Sequence, residues 1–174
     1  ADSASTLLAM DAQLELEGPK GTRRLPLREI YAGPGRTVRE HEELLTAIRV
    51  RKEDYEGFCG YYIKYAQRSA MDIATLGCAA YLRLSPDKTH IEQLRLAYGV
   101  AAPTPIRCGK AEQAAQGQRL DQQLLERIGE AAVSEVNPRT SWRASREFRL
   151  QLVRELAKRA ITQAVVKGGG EIHA

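Results

Sequence analysis

Residues 60–84 read GYYIKYAQRSAMDIATLGCAAYLRL: an aromatic run, a polar knot, then a run with almost no charge. In GYYIKYAQR the side chains alternate, so Lys64 shares a face with Tyr62 and Ala66 and opposes Tyr61, Ile63 and Tyr65. The second run, DIATLGCAAYLRL, is apolar on both faces with Ala and Gly interspersed, the pattern of a central strand covered on both sides. A turn, SPDK, leads to IEQLRLAYGV, where Leu94, Leu96, Tyr98 and Val100 share one face, which predicts an antiparallel hairpin.

Toward the C-terminus the period changes. VAAPTPIRCG is a proline-fixed loop, and KAEQAAQ is a short helix ending at Gly117. Asp121 caps a helix whose Leu124, Leu125, Ile128, Ala132 and Val136 recur at helical spacing, with Leu120 placed to staple onto Leu125. NPRTSW breaks the chain, and a last helix runs from about Ser145 to GGG with Phe148, Leu152, Val153, Leu156, Ala160, Ile161 and Ala164 as its buried stripe. Strands followed by helices predict an α+β fold, a three-stranded antiparallel sheet packed with helices.

Toward the N-terminus, KEDYEG is a charged, glycine-ended connector and the expected boundary between residues 1–53 and 54–174. In EELLTAIRVRK before it, Leu44, Thr46, Ile48 and Val50 fall on one face of a strand, leaving Leu45 as the odd apolar residue among Ala47, Arg49 and Arg51. Leu45 is either a half-covered surface leucine or an apolar wall for something that docks there. YAGPGRT is too rich in glycine and proline for regular structure and is expected to be a loop. AQLELEG and TRRLPL form a hairpin around GPKG, and ahead of them lies a helix capped by Asp2 or Ser3, with Leu7, Leu8 and Met10 on its apolar side.

Composition narrows the function classes. The 174 residues are 43% apolar with a net charge of +4, enough for a real core and only modestly basic. Lys and Arg alternate with Asp and Glu, which argues against nucleic-acid binding, and no run reaches membrane-spanning length or forms a signal segment. Cys59, Cys78 and Cys108 form no CxxC pair and fit free thiols in a reducing cytoplasm; His41, His90 and His173 are too scattered for a zinc site. Glu42–Glu43 and Glu53–Asp54 read as solvated surface, and GPGRT lacks the spacing of a nucleotide fingerprint. Lys64 projects to solvent or into a site; a lysine at the edge of a flavin would stabilise the negative charge that builds on a reduced ring.

Taken in order, ADSA, YAGPGRT, EELLTAIRV, YIKYAQRSAMDIA, LRLAYGVAAPTPIR and SWRASREFR resemble the FAD-binding subunits of molybdenum hydroxylases of the xanthine dehydrogenase and carbon monoxide dehydrogenase type. The resemblance covers almost the whole chain. It implies that residues 1–53 are the second half of a FAD-binding domain of two subdomains and that residues 54–174 are the C-terminal domain of that subunit. It implies an oxidoreductase component in which electrons from a purine pass from a molybdenum cofactor through iron–sulfur clusters, both on partner subunits, to FAD and then NAD. Matched position by position, Asp2 closes a flavin-contact segment, Leu45 packs near the isoalloxazine and Lys64 lies at its pyrimidine edge. Arg68, Ser69, Ala70, Met71 and Asp72 belong to a loop bordering the nicotinamide side, with Asp72 its fixed acid. Arg143 and Arg149 are read as packing residues. The glycine-rich segments that hold the FAD pyrophosphate in this family have no counterpart in these residues, so the 174 residues alone are expected to bind FAD weakly and to be inactive. The alternative is a subunit-contact module of a related aldehyde or carbon monoxide dehydrogenase, without flavin activity of its own.

Overall fold

A computed structural model describes residues 2–173; Ala1, the first residue of the ADSA motif, lies outside them. Helix α1 (Ser3–Ala9) leads into strands β1 (Gln13–Gly18) and β2 (Gly21–Pro26). These form the expected hairpin, and β1 also pairs with β5 (Leu44–Arg49), giving a three-stranded sheet in the order β2–β1–β5. The alternation of β1 is expressed directly, since Leu14 and Leu16 are buried while the glutamates face outward.

Two details between these strands depart from expectation. YAGPGRT is not a plain loop: β3 (Tyr31–Gly33) and β4 (Arg36–Thr37) pair around Pro34–Gly35. Pro34 followed by Gly35 at φ +68° suits the two central positions of a type II turn, so the residues that argued against regular structure are what close this hairpin. Glu43 is not solvated either. Its carboxylate accepts from Arg23 Nε at 2.5 Å and Nη2 at 2.8 Å, and from the Glu40 amide at 2.7 Å.

Those bonds, the Arg23 guanidinium first, hold the Glu43 carboxyl at about 2, below its ordinary 4.5. A depressed carboxylate stabilises the fold fully above its unfolded value, and that stabilisation disappears as pH falls from 4.5 toward 2. The urea midpoint is therefore expected to drop between pH 6 and pH 3 by less in Glu43→Gln than in the parent chain. An equal drop in both would show that Glu43 carries none of the acid sensitivity.

After α2 (Lys52–Tyr55), strands β6 (Cys59–Tyr65), β7 (Leu76–Leu84) and β8 (His90–Gly99) form the predicted antiparallel set, with β7 central. The sheet is larger than expected. Two-residue strands β9 (Ile106–Arg107) and β10 (Gln118–Arg119) pair with opposite ends of β8, making five strands, and β9 lies within what reads as a proline-fixed loop. Helices α3 (Gly109–Ala115), α4 (Gln122–Val133) and α5 (Arg146–Lys167) cover one face. Asp121 caps α4 by accepting from the Leu124 amide at 2.7 Å, and Ser145 caps α5 by accepting from Phe148 N at 3.2 Å.

The stripe of α5 is shifted from the one expected at its start. Phe148 is part-exposed, its ring edge-on to Tyr65 at 5.9 Å, and Arg149 is the buried residue. Arg149 is 2% exposed and donates to Thr75 O, Arg139 O and Ser141 Oγ, so it anchors the segment before α5 to β7, as a packing residue should.

The other face of the sheet is covered by α1 and the β1–β2 hairpin. Leu8, Ala9, Leu14, Leu16 and Leu25 pack there against Ala79 and Ala97, whose small side chains let the helix approach the strands. The connector KEDYEG takes part in this packing. Asp54, read as surface, is 3% exposed and lies 3.2 Å from Arg95 Nη2, while Arg51 Nε bonds its other oxygen at 2.7 Å. Arg95 is sandwiched further by Asp11, 3.3 Å from its Nε, and by the Phe58 ring, 4.5 Å from its Cζ.

Candidate functional site

The end of β6 points Lys64 to the face it shares with Tyr62, as the alternation requires, where it is partly in water but not free. Its Nζ lies 2.8 Å from Asp2 Oδ2 at the head of α1 and donates to the Asp72 carbonyl at 2.5 Å. The Asp2 side chain therefore does not cap α1 as expected; its carboxylate is spent on Lys64. A charge pair of this kind is half in water and contributes little to stability, so its significance is positional.

The segment after β6 is held by its own acid. Asp72 Oδ2 accepts from the Gln67 amide at 2.8 Å and the Arg68 amide at 3.0 Å, and Arg68 Nη2 donates to Met71 O at 2.6 Å. Burial pushes the Asp72 carboxyl up, but the two amides and Arg68 outweigh it and leave it below the usual carboxylate range. Its carboxylate thus fixes the loop and its carbonyl fixes Lys64. Arg68, Ser69 and Ala70 stay exposed, and Met71, at φ +50°, is 93% exposed at the tip.

Beside this cluster is a cavity of about 570 Å³, bounded by Asp2, Tyr62, Ile73, Val100, Pro103 and Arg139. That is within the range of about 300–1,000 Å³ typical of small-molecule sites. Lys64 does not line it; its ion-pair partner Asp2 does, and the lysine itself lines a neighbouring groove between β6, α4 and α5.

Of the residues lining this cavity only Asp2 was read as a site residue from the sequence, and two of the others stand out. Tyr62 Oη is buried with no hydrogen-bond partner, and burial, with the Asp2 charge next, pushes its pKa up to about 12. Gly77 makes room for it, because a Cβ there would fall 2.9 Å from the hydroxyl. Val100, expected on one face of β8 with Leu94, Leu96 and Tyr98, instead takes φ +66° just past the strand and lines the cavity. Its sequence signal was absent, since valine rarely adopts that conformation; Tyr62 had one, its shared face with Lys64. An orphaned hydroxyl gains the fold nothing, so Tyr62→Phe is expected to leave thermal stability unchanged or raise it by no more than about 1 kcal/mol. A clear loss of stability in that variant would mean the hydroxyl is bonded.

Leu45 is not brought to this cluster. Opposite Glu15 and Leu16 the pairing of β1 with β5 shifts by one residue: Ile48 pairs with Leu14, Ala47 with Glu15, but Leu45 with Leu16. The bulge at Thr46 therefore moves Leu45 onto the apolar face with Ile48, away from the polar face that strict alternation assigned it. There it is 49% exposed and lines none of the cavities above.

Among the described residues no cluster of side chains suits a metal ion, and no helix is long and apolar enough to cross a membrane. The cavity thus has largely apolar walls and one buried hydroxyl without a partner, and its lining residue Asp2 is paired with the Lys64 ammonium.

Comparison with known proteins gives this arrangement a family. The model of the CO dehydrogenase flavoprotein C-terminal domain matches residues 61–164, and that of the FAD binding domain in molybdopterin dehydrogenase matches residues 1–52. The chain belongs to the FAD-binding subunits of the molybdenum hydroxylases. Within these subunits it is 48% identical, over 99% of its length, to the xanthine dehydrogenase FAD-binding subunit of Escherichia coli O157:H7, of which it spans 58%. It is 26% identical, over 94% of its length, to the carbon monoxide dehydrogenase medium chain of Hydrogenophaga pseudoflava, of which it spans 55%. The solved carbon monoxide dehydrogenase from H. pseudoflava lacking the Mo-pyranopterin moiety superposes with a TM-score of 0.85 at 27% identity, over 95% of this chain and 56% of that one. The chain thus spans little more than half the length of these molybdenum hydroxylase subunits.

Proposed function

We propose that this chain is the C-terminal portion of the FAD-binding subunit of a xanthine dehydrogenase-type molybdenum hydroxylase, working between iron–sulfur clusters on partner subunits and NAD during purine hydroxylation. The observation that carries the reading is the convergence of Asp2, Lys64 and Asp72 beside the unpartnered hydroxyl of Tyr62. FAD, when bound, supplies the change from single-electron to hydride transfer.

The chain's own residues do the positioning. Lys64 keeps a fixed positive charge next to Asp2 of the cavity wall, pre-organised by Asp2 and the Asp72 carbonyl, where negative charge on a reduced ring is favoured. Tyr62 offers a hydrogen bond from a hydroxyl that stays protonated at neutral pH. Ile73, Ala74, Pro103 and Pro105 supply apolar walls that limit water. The Asp72 turn sets the loop on the side proposed for nicotinamide. Leu45, half-exposed on β5, is proposed to reach the ring only through parts of the subunit outside these residues. Within these residues no glycine-rich loop is spaced for a pyrophosphate, so the 174 residues are proposed to be inactive alone.

The test is a longer polypeptide with the remaining length its relatives possess, purified without added flavin. It is expected to be yellow and to bleach anaerobically on addition of NADH. A colourless protein that still associates with the other subunits would replace this reading with the subunit-contact module.

A further inference from the structure

One surface is left over by the proposed chemistry. At the start of α5 the Trp142 ring is 79% exposed with the Arg143 guanidinium 4.1 Å above it, and Arg143 Nε has no hydrogen-bond partner. Phe148 and Tyr65 meet edge to face next to it, and Met71 stands out from the neighbouring loop. The patch is continuous: Gln67 Nε2 donates to Arg143 O at 3.2 Å, Arg146 N to Thr140 Oγ1 at 3.0 Å, and Arg149 ties Arg139 and Ser141 beneath.

Its charge is one-sided. Arg139, Arg143 and Arg146 have no carboxylate partner among the described residues, Arg68 lies 3.7 Å from Asp72, and Arg149 is buried beneath and adds no charge to the surface. The carboxylates nearby are Asp72, used within its loop, and Glu147, held below the usual range by its own amide, the Ser145 hydroxyl and the charge of Arg146. Other exposed arginines, among them Arg36, Arg119, Arg127 and Arg159, also lack a carboxylate within the described residues; what sets this surface apart is an unpaired guanidinium stacked on an exposed indole ring. Trp142, Arg143, Phe148 and Met71 line none of the cavities described, so the surface is too open to enclose a nucleotide. Exposed Trp, Tyr, Phe, Met and Arg together are the composition of protein–protein contact cores, and the excess of guanidinium selects a partner with carboxylates.

We propose that Trp142, Arg143, Phe148, Met71 and Tyr65 form the docking surface for an acidic face of another subunit of the same assembly, an inference that rests on the subunit reading above. The surface joins the site through Gln67: a partner seated on Arg143 presses on the loop whose Asp72 carbonyl holds Lys64. Docking then fixes the loop and the lysine together.

The experiment is reassembly of the complex from separated full-length subunits, titrated by light scattering at several salt concentrations. Arg143→Glu and Trp142→Ala are each expected to weaken assembly at least tenfold with circular dichroism unchanged, and Arg143→Lys to weaken it less than threefold. Arg143→Glu is also expected to flatten the salt dependence. If the parent subunits assemble and both variants match them within twofold, the docking inference is overturned. Loss of binding to duplex DNA or to anionic phospholipid vesicles in Arg143→Glu, with assembly intact, would overturn it too and assign the surface to that ligand. If the parent subunits do not assemble at all, the subunit reading fails and takes the inference with it.

Discussion

Arg95→Ala is expected to destabilise the fold by about 3–5 kcal/mol, the cost of breaking a buried ion pair by removing one partner. For a chain of this size that is a fall of roughly 6–20 °C in melting temperature. Arg95 is 5% exposed on β8, and the groups it holds lie before the expected boundary, within the connector or just after it: Asp11 after α1, Asp54 in α2, Phe58 before β6. Arg107 supports the same junction from β9, 2.7 Å from Asp11 and 2.5 Å from Glu112. The substitution removes the charge on which the first segment closes over the sheet. Arg51 still bonds Asp54 from the solvent side, which keeps the effect short of complete unfolding. Arg95→Lys is expected to recover only part of the loss, since one ammonium cannot serve Asp11 and Asp54 with a guanidinium's fork. A paired Arg95→Met, Asp54→Leu variant is expected to recover more, because well-packed apolar groups can replace a buried ion pair. A melting temperature within about 1 °C of the parent in Arg95→Ala would show that the junction does not depend on this charge.

The extent to which these features were legible follows from the range of each interaction. Strand periods, the Asp121 and Ser145 caps and the central place of β7 are local patterns, and the chain folds as they imply. What escaped depends on partners distant in sequence. Asp54 looks solvated beside Glu53 because nothing near it shows Arg95, and Glu43 looks solvated because Arg23 belongs to another strand. A bulge at Thr46 is invisible to a period-two reading, which therefore placed Leu45 on the wrong face. At the start of α5, helical spacing alone could not tell Phe148 from Arg149 as the inward residue. The choice falls to Arg149 because Thr75, Arg139 and Ser141 offer it three acceptors. The site shows the same division: alternation put Lys64 beside Tyr62, resemblance put Asp2 and Asp72 near a flavin, and only folding showed that they bond to the lysine itself.

Lys64→Ala carries the largest expected effect on function. In the full-length subunit bound to FAD, reduction by NADH is expected to slow by about 10²–10³-fold, the range seen when a pre-organised donor to developing charge is removed. The flavin potential should fall as well, because the reduced, more negative ring loses a fixed cation. Stability should change little, since Lys64 is partly in water and its ion pair with Asp2 is surface-like. Asp2→Asn separates charge from position. It leaves the ammonium and the Asp72 carbonyl bond but frees one of the two groups that orient Lys64, so a smaller slowing is expected, with the potential shifted the other way as a neighbouring negative charge is lost. Tyr62→Phe should weaken flavin retention with the potential nearly unchanged, because it removes a neutral donor. If Lys64→Ala is reduced at the parent rate with the parent potential, the lysine only ties α1 to the Asp72 loop, and the cation of the reduced ring must come from outside these residues.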